Sequence, residues 1–394
     1  MKRWVRTVML SIALVMACGC WDRREVNDIG LVMGTGLDLT EDGKIMMTLQ
    51  VAVPSPSSQS AGGTSKETDN FFLISESGKS VLDIDQKIQQ KMSRKLVFSH
   101  RSVILVGESL ARRGMNDFLD IFSRNPRNRL RTYLFVVKGK TAGEMLQVRY
   151  PYEMVPAEAL KEMELLPGAG MKSTLRDFLI ASAGEGENPA VGVLEGTEMF
   201  RSSLKGKDKQ FRLTGTAVFK RTALVGFLNN RETQQYLWFK NNKNSDNIVA
   251  DLPGGMGNVG LIFRSGNVKI DVVPLRDDFR FHVHVTGKGD LMENNSRLDV
   301  TQLHNETMVK KALEDQVKEE MEAFLRKLQH ELKTDILGFG GLVASQYPKK
   351  WRAVGKDWDR YFENAEISVS VKLSIKNTGA LGPSLQWKEK EIVK

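Results

Sequence analysis

The sequence predicts an α+β protein of more than one domain, with mixed and antiparallel sheets packed against helices. Three patterns predict it. Strand-like and helix-like segments alternate across residues 71–148, a strict period-two alternation runs through 279–286, and one long helical stripe of apolar residues occupies 308–332.

Residues 27–53 read as a β-hairpin. Residues 29–39 are apolar and glycine-rich, Thr40-Glu41-Asp42-Gly43-Lys44 has turn chemistry, and Ile45, Met47, Leu49, Val51 and Val53 alternate on one face. The Pro-, Ser- and Gly-rich stretch 54–70 is expected to be a surface loop. A strand follows at 71–75, then a helix with Val81, Ile84, Ile88 and Met92 on its buried stripe. A strand at 103–106 leads to one amphipathic helix carrying Leu110, Phe118, Leu119 and Phe122, stopped at Asn125-Pro126. A strand at 133–137 and a short helix at 141–148 close this α/β section.

Residues 151–205 carry helical pieces at 156–166 and 173–183 between Gly- and Pro-containing turns. They end in the charged link Lys205-Gly206-Lys207-Asp208-Lys209. The expected division is therefore a signal segment over 1–19, an N-terminal domain over 20–205 and a C-terminal domain over 206–394, with a further split near residue 275. Strands are expected at 213–220, 224–228, 260–264 and 268–273. Phe279, Phe281, Val283 and Val285 then line one strand face, with Arg280, His282, His284 and Thr286 on the other. Met308, Ala312, Val317, Met321, Phe324, Leu328 and Leu332 form a stripe about seven turns long. That helix is expected to pack on a sheet ending at 367–375.

The first twenty residues have the three zones of an export signal. Lys2, Arg3 and Arg6 are basic, residues 8–17 are uncharged and mostly apolar, and Ala17-Cys18-Gly19-Cys20 follows. The apolar run is too short to be a permanent membrane span. A small residue before Cys resembles a lipobox, in which the thiol takes a diacylglyceryl group and becomes the new N-terminus. Cys20 and Cys18 compete for that role, and an ordinary secretory signal with an incidental cysteine is the other reading. Cys20 is favoured because Trp21-Asp22-Arg23-Arg24 then opens the mature chain. Two acyl chains at about 0.8 kcal/mol per methylene give roughly 20 kcal/mol before entropic losses, enough for stable anchoring.

The formal charge is +9, and loss of Lys2, Arg3 and Arg6 with the signal lowers it to +6. That excess suits anionic headgroups, whereas nucleic-acid binding is not expected because no compact Lys/Arg cluster is interleaved with aromatics. The chain holds 2 cysteines. With the signal removed and Cys20 acylated, no thiol remains for a disulfide, a thiolate nucleophile or a cysteine metal site.

Catalysis has no support in the sequence. There is no G-x-S-x-G, H-E-x-x-H or G-x-x-x-x-G-K-[ST] motif. His282 and His284 share a strand face, where solvated polar residues are the plainer reading than metal ligands, and His100 reads as a turn residue. Gly34-Thr35-Gly36 sits within a strand pattern, and Gly338-Phe339-Gly340-Gly341 reads as a helix stop or close packing point. Glu162 and Glu164 read as an ordinary solvated pair. No metal or other cofactor is expected beyond the lipid on Cys20.

Several fragments, taken in order, resemble one family. Cys20-Trp21-Asp22-Arg23-Arg24-Glu25-Val26-Asn27-Asp28-Ile29-Gly30 is similar to the mature start of the Ger(x)C proteins, the C subunits of spore nutrient germinant receptors. Ser99-His100-Arg101 before Gly107-Glu108, and Gly215-Thr216-Ala217-Val218-Phe219 before Val225-Gly226-Phe227-Leu228, continue the match. So do Asp335-Ile336-Leu337-Gly338-Phe339-Gly340, Tyr347-Pro348-Lys349-Lys350-Trp351, Trp358 and Lys376-Asn377-Thr378-Gly379. The resemblance covers essentially the whole mature chain, and it selects Cys20, since the family's lipidated cysteine precedes Trp-Asp. Cys18 is a departure from the pattern.

The resemblance implies a lipoprotein on the outer face of the spore inner membrane, carrying N-palmitoyl and S-diacylglyceryl groups on Cys20. It implies work with integral-membrane A and B subunits in a receptor for amino acids, sugars or nucleosides, and it supplies no catalytic residues. It leaves open whether this subunit binds the germinant. Trp21 suits the headgroup zone or packs on the first domain, and Arg23 and Arg24 suit phosphates or a partner. The alternative reading is a solute-binding lipoprotein that captures a small nutrient directly.

Overall fold

Thirteen strands among the described residues fall into two sheets, one of nine strands and one of four. The computed structural model describes residues 3–4, 25, 28–53, 70–150, 152–165, 171–198, 209–240, 247–276, 278–378 and 392–393. The expected loop at 54–70 lies outside them except for Asn70.

The first sheet begins with the expected hairpin. Strand β1 (Ile29–Leu39) pairs antiparallel with β2 (Ile45–Ala52). The turn closes where the Lys44 N–H donates to Thr40 Oγ1 at 2.9 Å, and Gly43 supplies a φ of +77. Ile45, Met47, Leu49 and Val51 are all buried, as their alternation requires. Strand β3 (Phe71–Gly78) lies outside β2. Helix α1 (Val81–Gln90) is capped by Ser80 and buries Val81, Ile84 and Ile88.

Strands β4 (Lys95–Val97) and β5 (Val103–Gly107) both run parallel to β1, β4 beside its first residues and β5 beside its later ones. The single helix expected over 110–122 is two: α2 (Glu108–Arg113) and α3 (Asn116–Arg124). Gly114, at φ +112, ends the first of them. Strand β6 (Tyr133–Lys138), helices α4 (Ala142–Met145), α5 (Pro156–Leu165) and α6 (Leu175–Ala183), and strands β7 (Ala190–Glu198), β8 (Lys209–Lys220) and β9 (Ala223–Leu228) follow. The sheet order is β3-β2-β1-β5-β6-β7-β8-β9, with β4 also on β1.

Helices cover both faces of this sheet. Helices α1, α2, α3 and α6 pack on one face through Ile84, Leu110, Phe118 and Phe178. Helices α4 and α5 pack on the other through Met145, Ala157 and Leu160. Buried polar groups on β1 and β2 hold that second layer. Asp38 accepts from the Ala142 and Gly143 N–H groups at 2.8 and 3.0 Å. The Gln50 amide donates to the Leu146 carbonyl at 2.7 Å and accepts from the Ala157 N–H at 3.1 Å.

Strands β7 and β8 pair antiparallel on either side of the link where a domain boundary was expected, and β8 and β9 complete the first sheet. The chain crosses to the second sheet through α7 (Asn230–Phe239) and β10 (Asn247–Asp251). The two strands expected at 260–264 and 268–273 are one, β11 (Asn258–Pro274), with a register shift between Phe263 and Ser265. It turns at Leu275, where a further split was expected, and pairs with β12 (Phe279–Asn294) along its length.

Helix α8 (Leu303–Arg326) continues into a π-helical turn, Lys327–Glu331. Helices α9 (Phe339–Gln346), α10 (Pro348–Val354) and α11 (Trp358–Asn364) lead to β13 (Glu366–Asn377). Because β13 runs parallel to β12, this sheet is mixed, and the parallel return needs the long helical crossover. The buried line of α8 is Val309, Leu313, Val317, Met321, Phe324 and Leu328, one residue later at its start than the stripe read from Met308 and Ala312, which are half-buried. Each such side chain contributes about 1.5–3 kcal/mol of burial.

Phe324→Ala should therefore lower stability by about 3–5 kcal/mol in urea unfolding, because it empties a fully packed site. Leu303→Ala, at a position 77% exposed, should change it by less than about 0.5 kcal/mol.

Candidate functional site

The site residues expected from sequence, Cys20, Trp21, Arg23 and Arg24, lie outside the described residues. Chain length still bounds where they can be. Nine steps separate Cys20 from Ile29, so at about 3.3–3.6 Å per residue Cys20 lies within roughly 30 Å of the start of β1. The part of the first sheet nearest to Cys20 in sequence is the end at which β1 starts. It is the end where the parallel strands begin, with Lys95 paired beside Ile29 and the chain preceding β5 bonded to Met33 through Ser102.

Arg101 organises this end. It is 3% exposed, with its guanidinium 4.6 Å from the Phe122 ring centroid and 5.7 Å from that of Phe98. It donates to Asn128 Oδ1 at 2.9 Å and to Thr35 Oγ1 at 3.4 Å. Burial pulls its pKa down to about 10, against the pull of Asp85. Desolvation in turn pushes Asp85 up to about 6, against Arg101 and Arg127. A single buried cation thus ties the segment before β5 to the segment before β6. His100, read as a turn residue, is exposed in that turn.

The second constellation joins the two sheets. Four consecutive residues after α6 each engage the C-terminal half. Glu185 accepts from Trp351 Nε1 at 2.7 Å. The Gly186 carbonyl accepts from the Gly341 N–H at 3.3 Å. Glu187 pairs with Lys240 at 2.5 Å, and the Asn188 N–H donates to the Asp335 carbonyl at 2.7 Å.

Asp335 is 0% exposed. One carboxylate oxygen accepts from the Leu337 and Gly338 N–H groups, both at 2.9 Å. The other accepts from the Gly340 N–H at 2.8 Å and Trp358 Nε1 at 3.0 Å. Burial raises its pKa, and the four donors oppose that rise. Gly338 and Gly340 open α9 rather than stopping a helix, and the close approach is at Gly340. A Cβ there would lie 2.5 Å from the Gly186 Cα, and one on Gly186, at φ +76, would lie 2.4 Å from the Gly340 carbonyl carbon.

Sequence reasoning quoted Asp335, Trp351 and Trp358 for their resemblance alone, read Gly340 as part of a helix stop or close packing point, and missed Glu185-Gly186-Glu187-Asn188 altogether. The Gly-flanked acidic run reads as a solvated loop, and its partners are far away in sequence. The pairing of Glu162 and Glu164 as solvated carboxylates is also corrected. Glu164 is 1% exposed, on the inner side of α5. Burial pushes its carboxyl up to about 8, against Lys172 and the Ser173 N–H.

On the second sheet His282 and His284 bond to Ser368 and Ser370 of β13 at 2.6 and 2.8 Å, and His284 also meets Asp271 at 3.2 Å. This is a polar strand face knitted across three strands. Among the described residues no three His, Cys, Asp or Glu side chains converge. An open recess of about 370 Å³ lies farther along this sheet, lined by Ser265, Asn267, Thr286, Lys288, Lys372 and Ser374 among others.

Comparison with known proteins accounts for nearly all of this architecture. Residues 22–195 match the spore germination protein N-terminal domain, and residues 214–379 match the C-terminal domain described as spore germination B3/GerAC like. The Bacillus subtilis spore germination protein B3 is 25% identical over 397 residues, 97% of this chain and 100% of that protein. Spore germination protein KC of the same organism is 24% identical over 399 residues, 96% of each. The crystal structure of the GerBC protein superposes with a TM-score of 0.56 at 23% identity, covering 87% of this chain and 97% of that one.

Asp335→Asn should cost about 2–4 kcal/mol in urea unfolding, since its amide would turn N–H groups onto two N–H donors. Glu164 gives a pH test. Between its ordinary value of 4.5 and about 8 the folded chain keeps a proton that the unfolded chain has lost. Stability should therefore fall as pH rises through that window, by up to about 1.4 kcal/mol per pH unit. Glu164→Gln should flatten that fall, read as urea midpoints at about pH 5 and about pH 8.

Proposed function

The chain belongs to the Ger(x)C family of spore germination proteins, and from that membership we propose that it is the lipid-anchored C subunit of a nutrient germinant receptor. Its role is in germination. In the proposed reading the lipid on Cys20 holds the folded chain at the outer face of the spore inner membrane. There it acts through contacts with integral-membrane A and B subunits and performs no catalysis. The membrane contact of Trp21, Arg23 and Arg24 belongs to the same reading.

One observation carries it. In the sequence reading the signal covers 1–19 and Cys20 opens the mature chain, and the family match begins two residues later, at residue 22. No helix among the described residues is long and apolar enough to cross a membrane; in this reading the anchor is the lipid, at roughly 20 kcal/mol before entropic losses. Direct capture of a nutrient is the second reading, with the recess on the second sheet as its place. It is weakened by the architecture, because solute-binding lipoproteins use two related lobes and the two sheets here differ in strand number and order.

Labelled palmitate should enter the wild-type protein and Cys18→Ala but not Cys20→Ala. Spores carrying Cys20→Ala should respond poorly to nutrient, read as loss of optical density. Label retained in Cys20→Ala and lost in Cys18→Ala would move the anchor. Normal nutrient response by an unlabelled, stably expressed Cys20→Ala protein would remove the need for it.

A further inference from the structure

We propose that the two loops at the N-terminal end of the first sheet form a cationic rim that docks on an anionic lipid surface, an inference that rests on anchoring through Cys20. The first loop connects α1 to β4 and carries Arg94, with Lys95 the first residue of β4; the second connects α3 to β6 and carries Arg127, Arg129 and Arg131. Lys95 lies beside Ile29, the first strand residue after the anchor segment. Arg101, in the segment between β4 and β5, holds the second loop through Asn128 and lies over the Phe98 ring just after β4.

Several acidic groups flank these loops, Asp28 directly before Ile29 among them, and three of the others are engaged. Glu76 pairs with Lys91, Asp120 with Arg124, and Asp85 faces Arg101 and Arg127. Arg94, Lys95, Arg129 and Arg131 make no ion pair among the described residues. Leu130, between the two exposed arginines, is itself 38% exposed. Two long cationic side chains flanking an aliphatic one suit a headgroup layer, where the charges stay with phosphates and the leucine reaches inward.

Charge complementarity selects an anionic lipid surface as the occupant. In the proposed reading the tether of nine steps keeps this end within roughly 30 Å of the bilayer, where each basic residue near anionic headgroups gains about 1 kcal/mol. The rim would orient the fold, with the second sheet attached through residues 185–188 rather than beside the membrane.

The test uses the chain from residue 20 with Cys20→Ser, which retains both sheets, sedimented with phosphatidylcholine vesicles or with vesicles also containing phosphatidylglycerol. It should bind only the anionic vesicles and be released by high salt. R127Q/R129Q/R131Q should weaken binding roughly a hundredfold, about fivefold for each cation removed. K311Q/K318Q/K349Q, which removes the same charge from exposed positions on α8 and α10, should bind as the parent does. Equal binding to neutral vesicles, no binding to either kind, or equal losses in both triple variants would overturn the rim. Those results would leave the anchor standing if palmitate labelling still required Cys20.

Discussion

The architecture depends on one buried carboxylate. Asp335 is wholly removed from water, where an uncompensated charge would be costly, and it stays there because four N–H donors converge on its two oxygens. Those donors come from the turn that opens α9 and from Trp358 on α11. The same residue's carbonyl takes the N–H of Asn188, so the group that shapes the C-terminal helices also receives the first sheet. The glycine contact between Gly186 and Gly340 follows from this arrangement, since the backbones meet at a distance where neither residue can carry a Cβ.

Much of the fold was legible in the sequence because its strongest periods are local. The hairpin of β1 and β2, the stripe of α1, the alternation of β12 and the long helix α8 are each set by residues within one element. Part of what escaped was set by distant neighbours. Strand β4 is a three-residue run paired with β1, and β7 is a glycine-containing run whose parallel partner is β6, whereas β10 pairs with the strand that follows it and is simply short. Helix α7 has little apolar stripe to announce it, although its Asn229 and Glu232 form a reciprocal cap. The break between α2 and α3 rests on the backbone of Gly114, which a side-chain pattern does not register.

The sites divide in the same way. The proposal for Cys20 rests on a contiguous segment alone, because a lipobox is a local pattern that needs no fold to define it. Arg101, Glu164 and the run at 185–188 take their character from burial and partners that only the fold brings together. Arg101 reads in sequence as one more basic residue of a basic protein, yet it is a desolvated cation between two rings. Glu164 looks like its neighbour Glu162 until the helix turns it inward. In both cases residue type and spacing were visible and the environment was not.

In the proposed reading, these constraints bear on how a subunit that performs no catalysis could take part in signalling. A joint made from four successive residues, each held by a different C-terminal element, resists hinge motion between the sheets, because bending must break several hydrogen bonds and separate two backbones in direct contact. The two sheets are therefore suited to move as one body. In the proposed reading that body is tethered at the start of β1, close to the loops that Arg101 holds in place. A displacement of a partner bound anywhere on the C-terminal half would then reach the anchored end as a rotation of the whole chain about its tether. Signalling by such a subunit would depend on the stiffness of the joint and the position of the tether, and needs neither a bound nutrient nor a deformable core.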